Sequence, residues 1–307
     1  MYQFVVWLML VANLILAEGM SAQANPTPPL DILLTNDDGY DAPGIKTMGQ
    51  ALKAAGHNVT LVASTHKHSG SGVRITTRGK ICFEKKDDGV WAIEGSPADA
   101  VLIGLQHILA DQPPDLVISG SNFGQNVGMS ANNSGTVGAA IMAMQRGVPA
   151  IAVSVGHRPE EFSPPYTFPS TLAAFGPAAA FTVSLVAELQ NDFRENDGLL
   201  PDRTLLVVNY PARASNLIKG IRFTQLGHSE GYHWDFVETE MSGELLIKYS
   251  AVPELTGDAP FDTIWFQRDY ITISVLDGDW SAPTTVQTVV SSRLSNLKLP
   301  IESKEGD

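Results

Sequence analysis

Two adjacent carboxylates, Asp37 and Asp38, stand in the segment Ile32-Leu33-Leu34-Thr35-Asn36-Asp37-Asp38-Gly39. The apolar run reads as a buried strand, and Asn36 to Gly39 as a tight turn beyond its carboxyl end. Neighbours inside a regular strand point to opposite faces. The pair can therefore serve one site only from the turn, where Gly39 permits an unusual backbone. Two carboxylates gathered there repel unless a cation holds them, so the chemistry indicated is binding of a divalent ion. Turn formation alone is the alternative, since Asn, Asp and Gly are common turn residues.

Three more polar segments stand out, two of them after apolar runs. Asp115 to Ser119 reads as a buried strand and leads into Gly120-Ser121-Asn122-Phe123-Gly124-Gln125-Asn126-Val127-Gly128, which sets two amides four residues apart among glycines. Asn133-Ser134-Gly135-Thr136 stands directly before a helical pattern, where free N–H groups and the helix dipole favour an anion. Ser and Thr are also ordinary helix caps. His68-Ser69-Gly70-Ser71-Gly72 follows the second strand. Loops after parallel strands lie at one edge of the sheet, so these segments are expected to form one crevice. The seven histidines show no H-x-x-x-H or H-E-x-x-H spacing. His66 and His68 fall beside the crevice.

The elements that must position these groups alternate. Helical spacing of Ile45, Met48, Leu52 and Ala55 predicts a helix over 44–55, between strands at 32–35 and 58–63. Further helices are predicted over 98–109, 136–145 and 172–189, and strands over 115–119, 150–155 and 205–209. Val73-Arg74-Ile75-Thr76 and Trp91-Ala92-Ile93 alternate like half-exposed strands, with Asp87-Asp88-Gly89 as a hairpin turn. Continuous apolar strands alternating with helices indicate an α/β fold, its mostly parallel sheet covered on both faces. From Arg222 to Val275 strands and turns dominate, which reads as a smaller β-rich extension.

Composition narrows the function. The 307 residues are 44% hydrophobic and 17% charged, enough apolar content for a full core. The net charge of −13, with 20 basic residues scattered, disfavours nucleic-acid backbones as partners. The single cysteine, Cys82, excludes an intramolecular disulfide and a thiolate zinc site. Within Ile81-Cys82-Phe83 it reads as a small buried strand residue. Phe4 to Ala17 is nearly all apolar. As a helix it would reach ~21 Å, short of the ~30 Å hydrocarbon core. Ala22-Gln23-Ala24 then matches a cleavage site. Residues 1–24 read as a signal peptide, which predicts a periplasmic or secreted protein with no membrane attachment after cleavage.

These motifs together resemble the SurE-type 5'-nucleotidases, also called survival protein E or stationary-phase survival phosphatases. The matching segments are 32–39 with Ala42-Pro43-Gly44-Ile45, Gly95-Ser96-Pro97-Ala98-Asp99, Pro114 to Gly120 with Asn122 to Asn126, Ser134-Gly135-Thr136-Val137, and Gly147 to Ser154. The resemblance implies a Rossmann-like three-layer core over 31–221. It also implies a C-terminal extension over 222–307 used in oligomerisation; residues 25–30, with Asn25-Pro26-Thr27-Pro28-Pro29, read as a linker into the fold. It implies one divalent cation per subunit, Mg or Mn, held by Asp37, Asp38, Ser69 and Asn122. Asp37, Asp38 and Asn122 would carry catalysis, and Asn36, Asn126, Ser134, Gly135 and Thr136 would take the substrate phosphate. The implied activity is metal-dependent hydrolysis of nucleoside monophosphates by a homodimer or homotetramer. Alternatives are a broader phosphatase or exopolyphosphatase, and a non-catalytic nucleotide-binding protein. A dinucleotide-dependent oxidoreductase would need G-x-G-x-x-G after the first strand, where Asn36-Asp37-Asp38-Gly39 stands instead.

Overall fold

The computed structural model describes residues 28–163, 165–191, 198–279 and 281–296. The expected leader over 1–24 lies outside them. Strands β1 (Asp31–Thr35) and β2 (Asn58–Ser64) flank helix α1 (Pro43–Ala54). Pro43 starts α1, where a missing N–H is harmless, and Ile45, Met48 and Leu52 form its buried stripe. A hairpin of β3 (Phe83–Asp87) and β4 (Val90–Ile93) precedes α2 (Pro97–Ile103). Then come β5 (Leu116–Phe123), α3 (Gly135–Gln145), β6 (Ala150–Val155), α4 (Pro169–Asn191) and β7 (Leu205–Tyr210). The C-terminal part holds β8 (Ile221–Thr224), β9 (Tyr232–Glu238), β10 (Leu245–Ala251), α5 (Asp262–Gln267), β11 (Ile271–Leu276) and α6 (Thr284–Arg293).

One sheet runs in the order β3-β4-β2-β1-β5-β6-β7-β11-β8, and β9 pairs with β10 apart from it. From β4 to β7 every neighbouring pair is parallel, whereas β11 runs antiparallel to β7. Successive strand residues enter opposite layers, as the pleat requires. Ile32 and Leu34 pack with Ile45, Met48 and Phe175 beneath α1 and α4. Leu33 packs on the other face with Val101, Val137 and Ala140 beneath α2 and α3. The chain winds outward from β1 to β2 on one side and from β5 to β6 on the other. The carboxyl ends of β1 and β5 therefore meet at the switch point of the sheet, where open α/β folds place their ligands.

Three expectations are corrected. Val73–Thr76 is not a strand. The Thr76 N–H and hydroxyl both donate to the Asp99 carboxylate, at 2.8 and 2.9 Å, and the Arg74 carbonyl accepts from Ser96 Oγ. Side-chain partners thus take the bonds a ladder would have used. They belong to a capping box, in which Ser96 Oγ accepts from Asp99 N and Asp99 accepts from Ser96 N. Cys82 is exposed and precedes β3, because the sheet edge there has no covering layer and β3 is itself exposed along its length. Strand β5 continues through Gly120–Phe123 instead of ending at Ser119, with its register against β6 broken between Ser119 and Asn122.

Candidate active site

Asp37 and Asp38 follow β1 after Asn36, and both are held by other segments. Asp37 is 3% exposed. Its Oδ1 accepts from Thr136 Oγ1 at 2.5 Å, and its carbonyl accepts from His68 N at 2.7 Å. Asp38 Oδ2 accepts from Phe123 N at 2.8 Å, while Lys67 Nζ lies 3.1 Å from Asp38 Oδ1. The turn after β1, the loop after β2, the end of β5 and the start of α3 thus converge on two carboxylates, as the loops-at-one-edge argument requires. Burial and then the charge of Asp38 raise the Asp37 pKa to about 6, against the Thr136 hydrogen bond that lowers it.

Helix α3 approaches this pair at its first residue. A Cβ on Gly135 would lie 2.8 Å from Asp37 Cβ and 2.7 Å from Ser71 Oγ. Glycine at 135 is what lets the helix start reach the carboxylate. Ser134 Oγ accepts from Val137 N at 3.1 Å and is the N-cap. The remaining first-turn N–H groups have no acceptor within the helix. Asn122 Nδ2 donates to the Gly124 carbonyl at 2.8 Å, which leaves its Oδ1 as the available ligand atom. Ser69 is exposed on the loop one residue beyond His68. Asn126 faces a different way: its Nδ2 donates to Ser154 Oγ at 2.8 Å, and its N–H to Asn209 Oδ1 at 2.7 Å.

Asn36 is fully buried, and among the described residues neither its Nδ2 nor its Oδ1 has a partner. The hydroxyls of Ser64, Thr65, Ser71, Ser119 and Ser121 are also buried and unpaired among those residues. Leaving such a group unpaired costs about 1–3 kcal/mol. Several around one crevice mark a place shaped for polar atoms other than those of the chain. Among the described residues no three His, Cys, Asp or Glu side chains gather as a metal cluster. Any cation here must complete its shell with amide and hydroxyl oxygens. Two carboxylates with such neutral oxygens fit a hard ion such as Mg²⁺ or Mn²⁺.

The family model described as survival protein SurE matches residues 32–233. A 5'-nucleotidase SurE of Thermosynechococcus vestitus is 32% identical over 276 residues, covering 83% of this chain and 94% of that protein. The chain belongs to the SurE family. A 5'-nucleotidase SurE of Gloeobacter violaceus is 37% identical over 202 residues, 64% of this chain and 70% of its own length. The crystal structure of the SurE protein from Aquifex aeolicus superposes with a TM-score of 0.69 at 29% identity, covering 86% of this chain and 99% of that one.

Three residues of this SurE chain received no role from its sequence. Lys67 lies on the same loop as Ser69, and no spacing rule links it to Asp38. Asp262, at the start of α5, is buried, and its carboxylate accepts from Gly128 N at 2.9 Å and from Gly227 and Thr263 N at 2.8 Å. It clamps the loop after β5 to the C-terminal part. Burial raises its pKa in spite of these bonds. His157 follows β6 and stacks on Phe168 with ring centres 3.9 Å apart.

Proposed function

We propose that this SurE-family chain is a divalent-metal-dependent phosphomonoesterase that hydrolyses nucleoside monophosphates to nucleoside and phosphate. The observation that carries the reading is the acidic pair at the switch point, with the start of α3 resting on it. Asp37, Asp38, the Asn122 Oδ1 and Ser69 would hold one Mg²⁺ or Mn²⁺ per subunit. When bound, such an ion polarises the phosphoryl group and lowers the pKa of water. The other tasks fall to the chain itself. Thr136 holds Asp37 in one orientation through Oδ1. The first-turn amides of α3 and the Lys67 ammonium face negative charge and would bind the phosphate oxygens. Asn36, next to Asp37 in the chain, adds two buried polar atoms that are unpaired among the described residues. Asn126 would support the loop rather than bind phosphate, since Ser154 and Asn209 already engage it.

The test is hydrolysis of nucleoside monophosphates by the purified protein with Mg²⁺ or Mn²⁺, before and after chelation. The rate should fall at least about 100-fold with chelator and return on adding metal back. An undiminished rate with chelator would overturn the metal-dependent reading. Hydrolysis of polyphosphate in place of nucleotides would move the substrate class, and binding without turnover would favour a nucleotide-binding protein.

The hairpin supports self-association. Trp234, Phe236, Tyr249 and Ile247 pair across β9 and β10, which puts them on one face. They remain 45 to 64% exposed. A lone two-stranded hairpin is marginally stable in water, and an apolar face of this kind marks an interaction surface. Helix α6 likewise buries none of its residues. The proposed oligomer is a homodimer or homotetramer joined through this arm. Phe236→Asp combined with Ile247→Asp should yield a monomer by light scattering at micromolar concentration. An unchanged assembly would place the interface elsewhere.

A further inference from the structure

Asp38 has both carboxylate oxygens engaged. Oδ2 accepts from the Phe123 backbone N–H at 2.8 Å, a partner fixed by its place in β5. Oδ1 faces the Lys67 ammonium at 3.1 Å. A divalent ion on Asp38 would therefore need the oxygen that Lys67 already faces. The two sides of this ion pair are unlike: the Asp38 side chain is 8% exposed and that of Lys67 56%. The lysine reaches inward from solvent, and its stem is free to turn. Its Nζ also stands 5.8 Å over the Phe123 ring. A contact of that kind and an ion pair with one partner largely exposed are both weak, so Lys67 can exchange partners at little cost. Among the described residues no other Lys or Arg forms an ion pair with Asp37 or Asp38.

The root of Lys67 is held while its head is not. Its neighbour His68 donates its backbone N–H to the Asp37 carbonyl at 2.7 Å. Further along the same loop, Gly72 N donates to the Asn133 carbonyl at 3.0 Å, just before the cap of α3. A Cβ on Gly138 would collide with the Gly72 carbonyl, so loop and helix meet backbone to backbone. The loop thus runs from the acidic pair to the start of α3, and Lys67 is a mobile charge on a fixed mount between them. The site has use for that charge. The chain carries a net charge of −13, and its two carboxylates here add local repulsion against a phosphate dianion. An ammonium, a compact charge with three donors and no acceptor, suits phosphate oxygens.

We propose that Lys67 serves the two ligands of this site in turn: its ammonium neutralises Asp38 in the metal-free protein and turns to the substrate phosphate once Asp38 Oδ1 is given to a divalent ion. The proposal rests on the metal-dependent nucleotidase reading above and adds a coupling between its two ligands. Two cations on one carboxylate oxygen repel each other, so Lys67 turns outward when the site is loaded. In the other direction, Lys67 drawn to a phosphate leaves Oδ1 open. Each ligand therefore tightens the other through this one side chain, and linkage makes the two gains equal.

The test is titration calorimetry, which needs no turnover, on the unmodified protein, Lys67→Met and Lys67→Arg. Each is titrated with Mn²⁺ alone and then with inorganic phosphate at saturating Mn²⁺. Met keeps an unbranched stem and removes the charge. Lys67→Met should bind Mn²⁺ about tenfold more tightly, because no ammonium contests Oδ1. It should bind phosphate about tenfold more weakly, the loss expected for one hydrogen bond to a charged group. Lys67→Arg keeps the charge and should resemble the unmodified protein. A merely structural role would weaken both ligands together, and that result would overturn the proposal. Unchanged Mn²⁺ binding in Lys67→Met would overturn it too, as would tighter Mn²⁺ binding with unchanged phosphate affinity. Lys67→Arg behaving like Lys67→Met would tie the effect to shape and not to charge, with the same consequence. Opposite shifts of the two affinities in a protein that hydrolyses no nucleoside monophosphate would sink the nucleotidase reading while leaving the exchange standing. Failure of the unmodified protein to bind Mn²⁺ at all would sink both.

Discussion

Asp37→Asn is expected to abolish turnover and, at neutral pH without metal, to stabilise the protein. Asn keeps the shape and one carbonyl oxygen, so the Thr136 hydroxyl retains its acceptor. The substitution removes one of the two negative charges that would balance a divalent ion. A loss of at least about 10³ in kcat is expected, since a bound ion can supply several kcal/mol of charge stabilisation. Stability should move the other way. Asp37 titrates near 3.8 when unfolded and near 6 when folded. Between those values the native protein keeps a proton that the unfolded chain has lost, so its stability falls as pH rises through that window. Above that window the full cost stands, and below it the cost is absent. The variant should therefore melt higher than the parent at pH 7 and alike at pH 4, both in chelator. Near-normal turnover would remove Asp37 from the metal site, and a lower melting temperature at pH 7 would make its charge structural.

Gly135→Ala should be almost as damaging to catalysis, by sterics instead of charge. The new Cβ would sit 2.7 Å from Ser71 Oγ, 2.8 Å from Asp37 Cβ and 3.0 Å from Asp37 Oδ2. Helix α3 cannot retreat, because Gly135 to Met144 are all buried. The carboxylate or the loop carrying Ser71 must give way. A displacement of about 1 Å can cost about 10²-fold in rate, and forcing a methyl into a packed site costs about 1–3 kcal/mol. Steady-state kinetics and thermal melting on the same preparation check both. Turnover above half the parent value would show that Asp37 tolerates movement.

Much of this site was legible in the sequence because its logic is local. The apolar run before Asn36-Asp37-Asp38-Gly39 marked a strand end, and further apolar runs with period-3.6 helices between them placed two more strand ends on the same edge. The meeting of Asp37, Asp38 and Thr136 follows from that geometry. Contacts between distant segments were not legible. Phe123 N reaches Asp38 across 85 positions, and Lys67 and His157 stand in loops without periodicity. Val73–Thr76 looks like a strand because alternation records only which faces are apolar, whereas its backbone bonds go to Asp99. The antiparallel placement of β11 between β7 and β8 depends on partner choice, which a single strand's residues do not encode.

The loop after β5 and the root of the hairpin are stitched together at several points. Gln125 Nε2 donates to the Gly231 carbonyl at 3.2 Å, Met129 N to Ser229 O at 3.0 Å, and Gly231 N to Ser130 Oγ at 2.8 Å. Asp262 adds bonds to both Gly128 and Gly227. Segments that share hydrogen bonds in this way open as one cooperative unit. A fluctuation that frays the hairpin root also slackens the loop that begins just after Asn122 and Phe123, where β5 ends. The amides of Gly128, Met129 and Gly231 therefore belong to a single exchange class.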